Sequence, residues 1–119
     1  MRKTITINGK EYIAKASAYT QFKYKNDTGR RMMSDLQRIS KITEKTEEEQ
    51  MEYIEELLEI TLKMAYIMIE EADSSQLTTY DDFLKSIDGV FDNQEWITDI
   101  ILLASAPLSR GIETNSQVK

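Results

Sequence analysis

The side chains best equipped for chemistry in this sequence are carboxylates, and each group of them has a structural duty to weigh against it. Asp81, Asp82, Asp88 and Asp92 lie close together, and a hard cation wants several oxygen ligands around a tight loop. Their spacing lacks the alternating ligands of a calcium loop, so helix capping and solvation account for them better. Glu55 and Glu59 are four residues apart and share one face of a helix, a geometry that an acid/base pair could use. They belong to a longer acidic stripe that reads as a solvated face. Ser105 and Ser109 have no base beside them. The sequence holds no His and no Cys, which removes most zinc chemistry, the commonest general base and the Ser/His and Cys/His nucleophile pairs. A disulfide framework is excluded as well, and no glycine-rich phosphate loop is present. An enzyme would have to work with carboxylates and hydroxyls alone, so the expectation is a protein without catalytic residues, metal or cofactor.

The elements that carry these residues are mostly helical. At 119 residues, with 40% hydrophobic and 30% charged, the chain has the length and balance of one ordinary globular domain. The exception to the helical pattern comes first. In "TITINGKEYIAKA", Ile5 and Ile7 alternate with threonines, Asn8 and Gly9 suit a type I′ turn, and Tyr12 leads a second short run. That is a tight hairpin over about residues 4–16, and a hairpin is marginal unless it lies against something else. Its edges could pair with another copy, so Ile5, Ile7 and Tyr12 are the self-association candidates.

Ser17 reads as the N-cap of "AYTQFKYKN". Asp27, Thr28 and Gly29 interrupt, and Met32, Met33, Leu36 and Ile39 then recur at helical spacing, as a second helix or as the continuation of one bent helix. "SKITEKTEEEQ" reads as a connector. Thr46 with Glu49 is a capping box, and Glu47, Glu48 and Glu49 complement the positive end of the helix dipole. From there to about Ala72 no Gly or Pro intervenes, which predicts one long central helix. It carries two apolar stripes, one running from Met51 through Ile54, Leu58, Leu62, Ala65 and Ile69, the other formed by Tyr53, Leu57, Ile60, Met64 and Ile67. A surface helix needs only one stripe. Either both stripes are core, or the second one, through Tyr53, Ile60, Met64 and Ile67, contacts a partner helix, a task that an adaptable methionine suits.

Thr79 with Asp82 caps "YDDFLKSID", which should stop at Gly89. Asp92 with Glu95 caps a last helix in which Trp96, Ile100 and Leu103 form one face, with Trp96 as a core anchor. Pro107 and Gly111 should end it. The fold class is therefore mainly α with a small N-terminal β-hairpin (α+β), a compact helical domain over residues 1–111 built around one long helix, with a flexible tail over 112–119.

Net charge is −6 but unevenly placed. Residues 1–46 hold 11 Lys/Arg against 4 Asp/Glu, whereas residues 47–119 hold 4 against 17. Complementary halves or complementary neighbouring subunits explain this division. Nucleic acid is the competing partner, with "RRMMSDLQRI" as its contact helix, but the cations are spread singly and the acidic body would repel phosphates. The start "MRKTITING" lacks the apolar core of a signal peptide and no apolar run approaches membrane-spanning length, so an intracellular protein without membrane contact is expected.

In order and in detail these segments resemble a known family. The hairpin on "INGKEY", the stretch "FKYKNDTGRRMMSDLQRI", the long acidic helix, "TTYDDFLKSIDGV" and "WITDIILLASAPLSRG" look like the tail assembly chaperones of long-tailed bacteriophages and prophages of Gram-positive hosts. Phe22, Tyr24, Gly29, Arg30, Met33, Asp35 and Leu36 carry most of the likeness, Tyr80 to Leu84 the rest, and it spans residues 4–111. The resemblance implies a non-enzymatic protein that binds the helical tape measure protein, keeps it soluble and helps recruit the major tail protein. It further implies action in the cytoplasm of the bacterial host, absence from the finished virion, and no small-molecule substrate. A small DNA-associated regulator is the alternative.

Overall fold

The computed structural model describes residues 1–88 and 95–118, with side chains as far as residue 107. Strands β1 (Arg2–Ile7) and β2 (Lys10–Lys15) pair antiparallel, with Ile7 opposite Lys10 and Ile5 opposite Tyr12. Asn8 and Gly9 make the turn at φ 54° and 82°, the two positive values a type I′ turn requires. Alternation then sends Ile5, Ile7, Tyr12 and Ala14 to one buried face and Arg2, Thr4, Thr6, Glu11 and Ile13 to water. The buried face lies against the chain's own helices, because β2 packs on the central helix and β1 on the last one. Ile5, Ile7 and Tyr12 are thus core residues, and the expectation is corrected only as far as their side chains go: these are covered within the chain and cannot themselves meet another copy.

The outer edge of β2 is also occupied. The Ile13 N–H donates to Gln76 Oε1 at 2.7 Å and Gln76 Nε2 donates back to the Ile13 carbonyl at 3.0 Å. A single side-chain amide takes the place of a neighbouring strand, one way a sheet edge is closed against further pairing.

Helix α1 (Ala18–Thr28) starts at a capping box between Ser17 and Thr20 and ends at Gly29, whose φ of 75° is the left-handed stop that glycine adopts without steric cost. Helix α2 (Met32–Thr43) is separate from α1. It runs into the stretch expected to be a connector because Ile42 is buried there, and one anchored apolar residue holds the extra turn. Helix α3 (Glu47–Glu52) has the expected Thr46/Glu49 capping box.

The long helix predicted to run unbroken to Ala72 is instead two. Tyr53, at φ −111° and ψ 10°, separates α3 from α4 (Ile54–Ala72). No Gly or Pro marks the break; the Tyr53 ring lies under Arg38 and Lys45, with the cations 5.1 and 5.2 Å from its centroid, close enough for a cation–π attraction. Helix α4 is the centre of the molecule, packed on β2, α1, α2, α5 and α6.

After a short 3-10 turn (Ser74–Gln76), α5 (Tyr80–Lys85) is capped by Thr79 as expected. Tyr12, Tyr66, Tyr80 and Phe83 form an aromatic cluster with ring centroids 5.2–6.4 Å apart, joining the hairpin, α4 and α5. The stop at Gly89 and the cap at Asp92 lie outside the described residues. Helix α6 (Glu95–Val118) buries Trp96, Ile100 and Leu103. It passes through Pro107 and Gly111 rather than ending there, and the segment 112–119, expected as a flexible tail, has helical backbone as far as Val118. Proline's fixed φ near −65° is itself helical, so its cost of about 3 kcal/mol is a lost bond and crowding, not a forbidden backbone. Among the described residues no helix is long and apolar enough to cross a membrane.

Candidate partner-docking surface

The stripe expected to meet a partner helix lies inside. Ile60, Met64 and Ile67 are 4%, 1% and 1% exposed, and Tyr53 is half-buried between its two cations. Both stripes of α4 are core because a hairpin and four helices surround it. No partner reaches Ile60, Met64 or Ile67 while the fold is intact.

Of the large apolar side chains left exposed among the described residues, Tyr19, Phe22 and Met33 gather at the corner between α1 and α2. Thr20 and Tyr24 of α1 face inward, so Tyr19, Phe22 and Asn26, on the opposite side of that helix, face water. Phe22 is 67% exposed, and Met33 at the start of α2 is exposed as well. Two shallow depressions of about 420 and 280 Å³ share Phe22 and Lys25; the first is completed by Tyr19, Lys23, Asn26 and Gly29, the second by Gln21, Arg31, Met32 and Met33. Phe22 therefore stands as a ridge between two hollows, with Lys25 and Arg31 beside it. Neither cation has an ion-pair partner among the described residues.

The corner is held from below by polar contacts. The Tyr24 hydroxyl, fully buried, donates to Asp35 Oδ2, which also accepts from Arg30 Nε at 2.9 Å. Arg30 Nη2 reaches the Tyr24 oxygen at 3.4 Å. Thr28 Oγ1 donates to the Tyr24 carbonyl at 2.7 Å and accepts from the Arg30 N–H at 3.0 Å. At the other end of α1, Ser17 Oγ and Thr20 Oγ1 donate to the two carboxylate oxygens of Glu71 at 2.7 and 2.6 Å, a negative charge placed where the helix dipole favours one. Phe22 and Met33 are thus carried on a clamped support. Tyr24, Arg30 and Asp35, three of the residues on which the sequence resemblance rests, take part in this support together with Thr28, Ser17, Thr20 and Glu71.

Burial first, then the bond to Asp35, raises the Tyr24 pKa above its ordinary value near 10. The sign follows from linkage: a raised folded-state pKa gives stability that is complete below the unfolded value and is lost as pH rises. Stability is therefore expected to fall above about pH 10, where the unfolded tyrosine ionises first. The fall should be shallower in Tyr24→Phe, as read by urea midpoints at pH 8 to 11. Equal slopes in the two proteins would remove Tyr24 from the account.

The candidate chemical groups are placed separately. Asp82 accepts from Thr78 Oγ1 at 3.0 Å, and its N–H donates to Thr79 in the α5 cap. Glu55, Glu59, Asp81 and Asp88 are exposed. Ser105 Oγ donates to the Ile101 carbonyl at 2.7 Å, a bond internal to its helix. Asp92 and Ser109 lie outside the described side chains. Arg30 and Arg38, two cations of "RRMMSDLQRI", pair with Asp35 and Glu56.

Comparison with models of known protein families, with curated proteins and with solved structures finds no match to this chain. Function is read from the surface. Sequence periodicity did not single out Phe22 because α1 has aromatics on both sides, Tyr24 inward and Phe22 outward; the usable signal was that lack of a clean apolar stripe.

Proposed function

We propose that this protein is a non-enzymatic tail assembly chaperone of the long-tailed bacteriophage type, which binds the tape measure protein, keeps it soluble and helps recruit the major tail protein. In this reading it acts in the cytoplasm of the bacterial host and leaves before the virion is finished. The observation that carries the reading is the exposed Tyr19–Phe22–Met33 surface with Lys25 and Arg31 at its margin. A helical client lays apolar residues at i, i+3 and i+7 into such hollows, and shallow contacts of this size suit reversible binding. Phe22, Lys25, Arg31 and Met33 lie within the stretch most like the chaperone family. The DNA reading loses ground because Arg30 and Arg38 are engaged with carboxylates of the chain itself.

The test is co-expression with helical segments of the tape measure protein from the same genome, followed by size exclusion with light scattering. The wild-type chain should hold an otherwise aggregating segment in a stoichiometric complex. Phe22→Asp, at a position 67% exposed, should fold normally yet weaken binding by about 2 kcal/mol or more, roughly thirtyfold in Kd, as expected at the centre of a docking site. A client segment that stays aggregated beside a well-folded wild-type chain would sink the proposal.

A further inference from the structure

The basic, aromatic corner of α1 and α2 has a complement on the same molecule. On α3, Glu47, Glu48, Met51 and Glu52 are all exposed. At 100° per residue they form one face, with three carboxylates around a methionine that is 63% exposed. The α1–α2 corner presents the inverse: Lys25 and Arg31 around Phe22 and Met33. Each surface offers an apolar residue that the core does not cover, flanked by the charge the other lacks. This is the local form of the division in the sequence, where residues 1–46 carry 11 Lys/Arg against 4 Asp/Glu and residues 47–119 carry 4 against 17.

The two surfaces cannot meet within one chain. Met33 is at the start of α2 and α3 follows its end, so the 12 residues of α2, about 18 Å of helix, stand between them. Helix α3 is not free to swing back. Gln50 Nε2 donates to the Thr43 and Lys45 carbonyls at 3.2 and 2.9 Å, and Tyr53 is held beneath Arg38 and Lys45.

We infer that α3 of one copy docks on the α1–α2 corner of a second copy, with Met51 against Phe22 and Met33, and Glu47, Glu48 and Glu52 facing Lys25 and Arg31. The contact is head-to-tail. It uses two different patches, so each copy that joins leaves one patch of each kind open, and association continues past a dimer or closes into a ring. In the absence of a client this covers the exposed aromatic surface with a helix of the same protein. Its further consequence, that a client helix must displace α3 to bind, rests on the function proposed above; the contact between copies does not.

The test uses the purified full-length chain without any client. Sedimentation equilibrium at low salt should give a weight-average mass that rises with concentration beyond twice 13.8 kDa, and that falls as salt is added. The double substitution Lys25→Glu with Arg31→Glu, and separately Glu48→Lys with Glu52→Lys, should each lower the association constant at least tenfold. An equimolar mixture of the two charge-reversed proteins should recover hetero-association, because one has only acidic and the other only basic docking patches that match. Circular dichroism should show all variants folded, since every position changed is exposed. A wild-type chain that stays monomeric at low salt, or association that survives both reversals, would overturn the inference; survival of both together with loss on altering Thr4 and Thr6 would assign it to the β1 edge instead. A chain that associates as described but fails to hold a tape measure segment would sink the function and leave this contact standing.

Discussion

Ile67→Asp is expected not to fold at 25 °C. Ile67 is 1% exposed in the middle of α4, the helix against which the hairpin and the flanking helices all pack. Emptying such a site costs about 2–5 kcal/mol in transfer and cavity energy. An aspartate adds the cost of an unpaired polar group in an apolar environment, or of forcing its carboxyl to protonate, for about 2–7 kcal/mol more. The sum, about 4–12 kcal/mol, is comparable with the roughly 5–15 kcal/mol total stability of a single domain. Circular dichroism should show loss of most helical signal and no cooperative thermal transition, while Ile67→Val, which deletes one methylene, should stay folded and lose about 0.5–1.5 kcal/mol. Phe22→Asp is the informative contrast, a similar change in polarity at a position 67% exposed and hence nearly neutral for folding. An Ile67→Asp protein that melted like wild type would mean that this stripe of α4 faces outward, and the partner site would return to Ile60, Met64 and Ile67.

Asp35→Ala is expected to lower stability by about 1–4 kcal/mol. The largest part comes from the Tyr24 hydroxyl, which is fully buried and loses its acceptor; an unsatisfied buried group costs about 1–3 kcal/mol. The Arg30 ion pair adds less. Its cation is 42% exposed at the side chain, which puts the pair near the 0–1 kcal/mol of surface bridges. Tyr24→Phe should cost less than Asp35→Ala, because Asp35 then keeps Arg30. In the Asp35→Ala background Tyr24→Phe should be nearly neutral, so the two changes are strongly non-additive. Urea denaturation of the four proteins measures the coupling. Additive losses would mean that Tyr24 and Asp35 do not share a bond. The same variant should also weaken client binding beyond its effect on folding, since the network sets the angle at which Phe22 and Met33 are presented together.

Much of this could be read from the chain before any coordinates. The Asn8–Gly9 turn, the caps at Ser17, Thr46 and Thr79, the stop at Gly29 and the core face of Trp96, Ile100 and Leu103 all follow from local chemistry. A turn type, a cap or a period of 3.6 is decided within a few residues, and those residues are adjacent in sequence. Local chemistry also determined the mainly α fold with its hairpin, and the uneven charge along the chain. It could not decide the break at Tyr53, where cations from Arg38 and Lys45 arrive from outside the helix, nor the continuation of α6 through Pro107. Above all it could not decide which apolar residues are covered. The two stripes of α4 and the hairpin face of Ile5, Ile7 and Tyr12 have the composition of docking surfaces, but they cover one another. Phe22, in a helix without a clear stripe, is left in water. Burial depends on which elements close over a residue from distant parts of the chain, and only the tertiary structure fixes that.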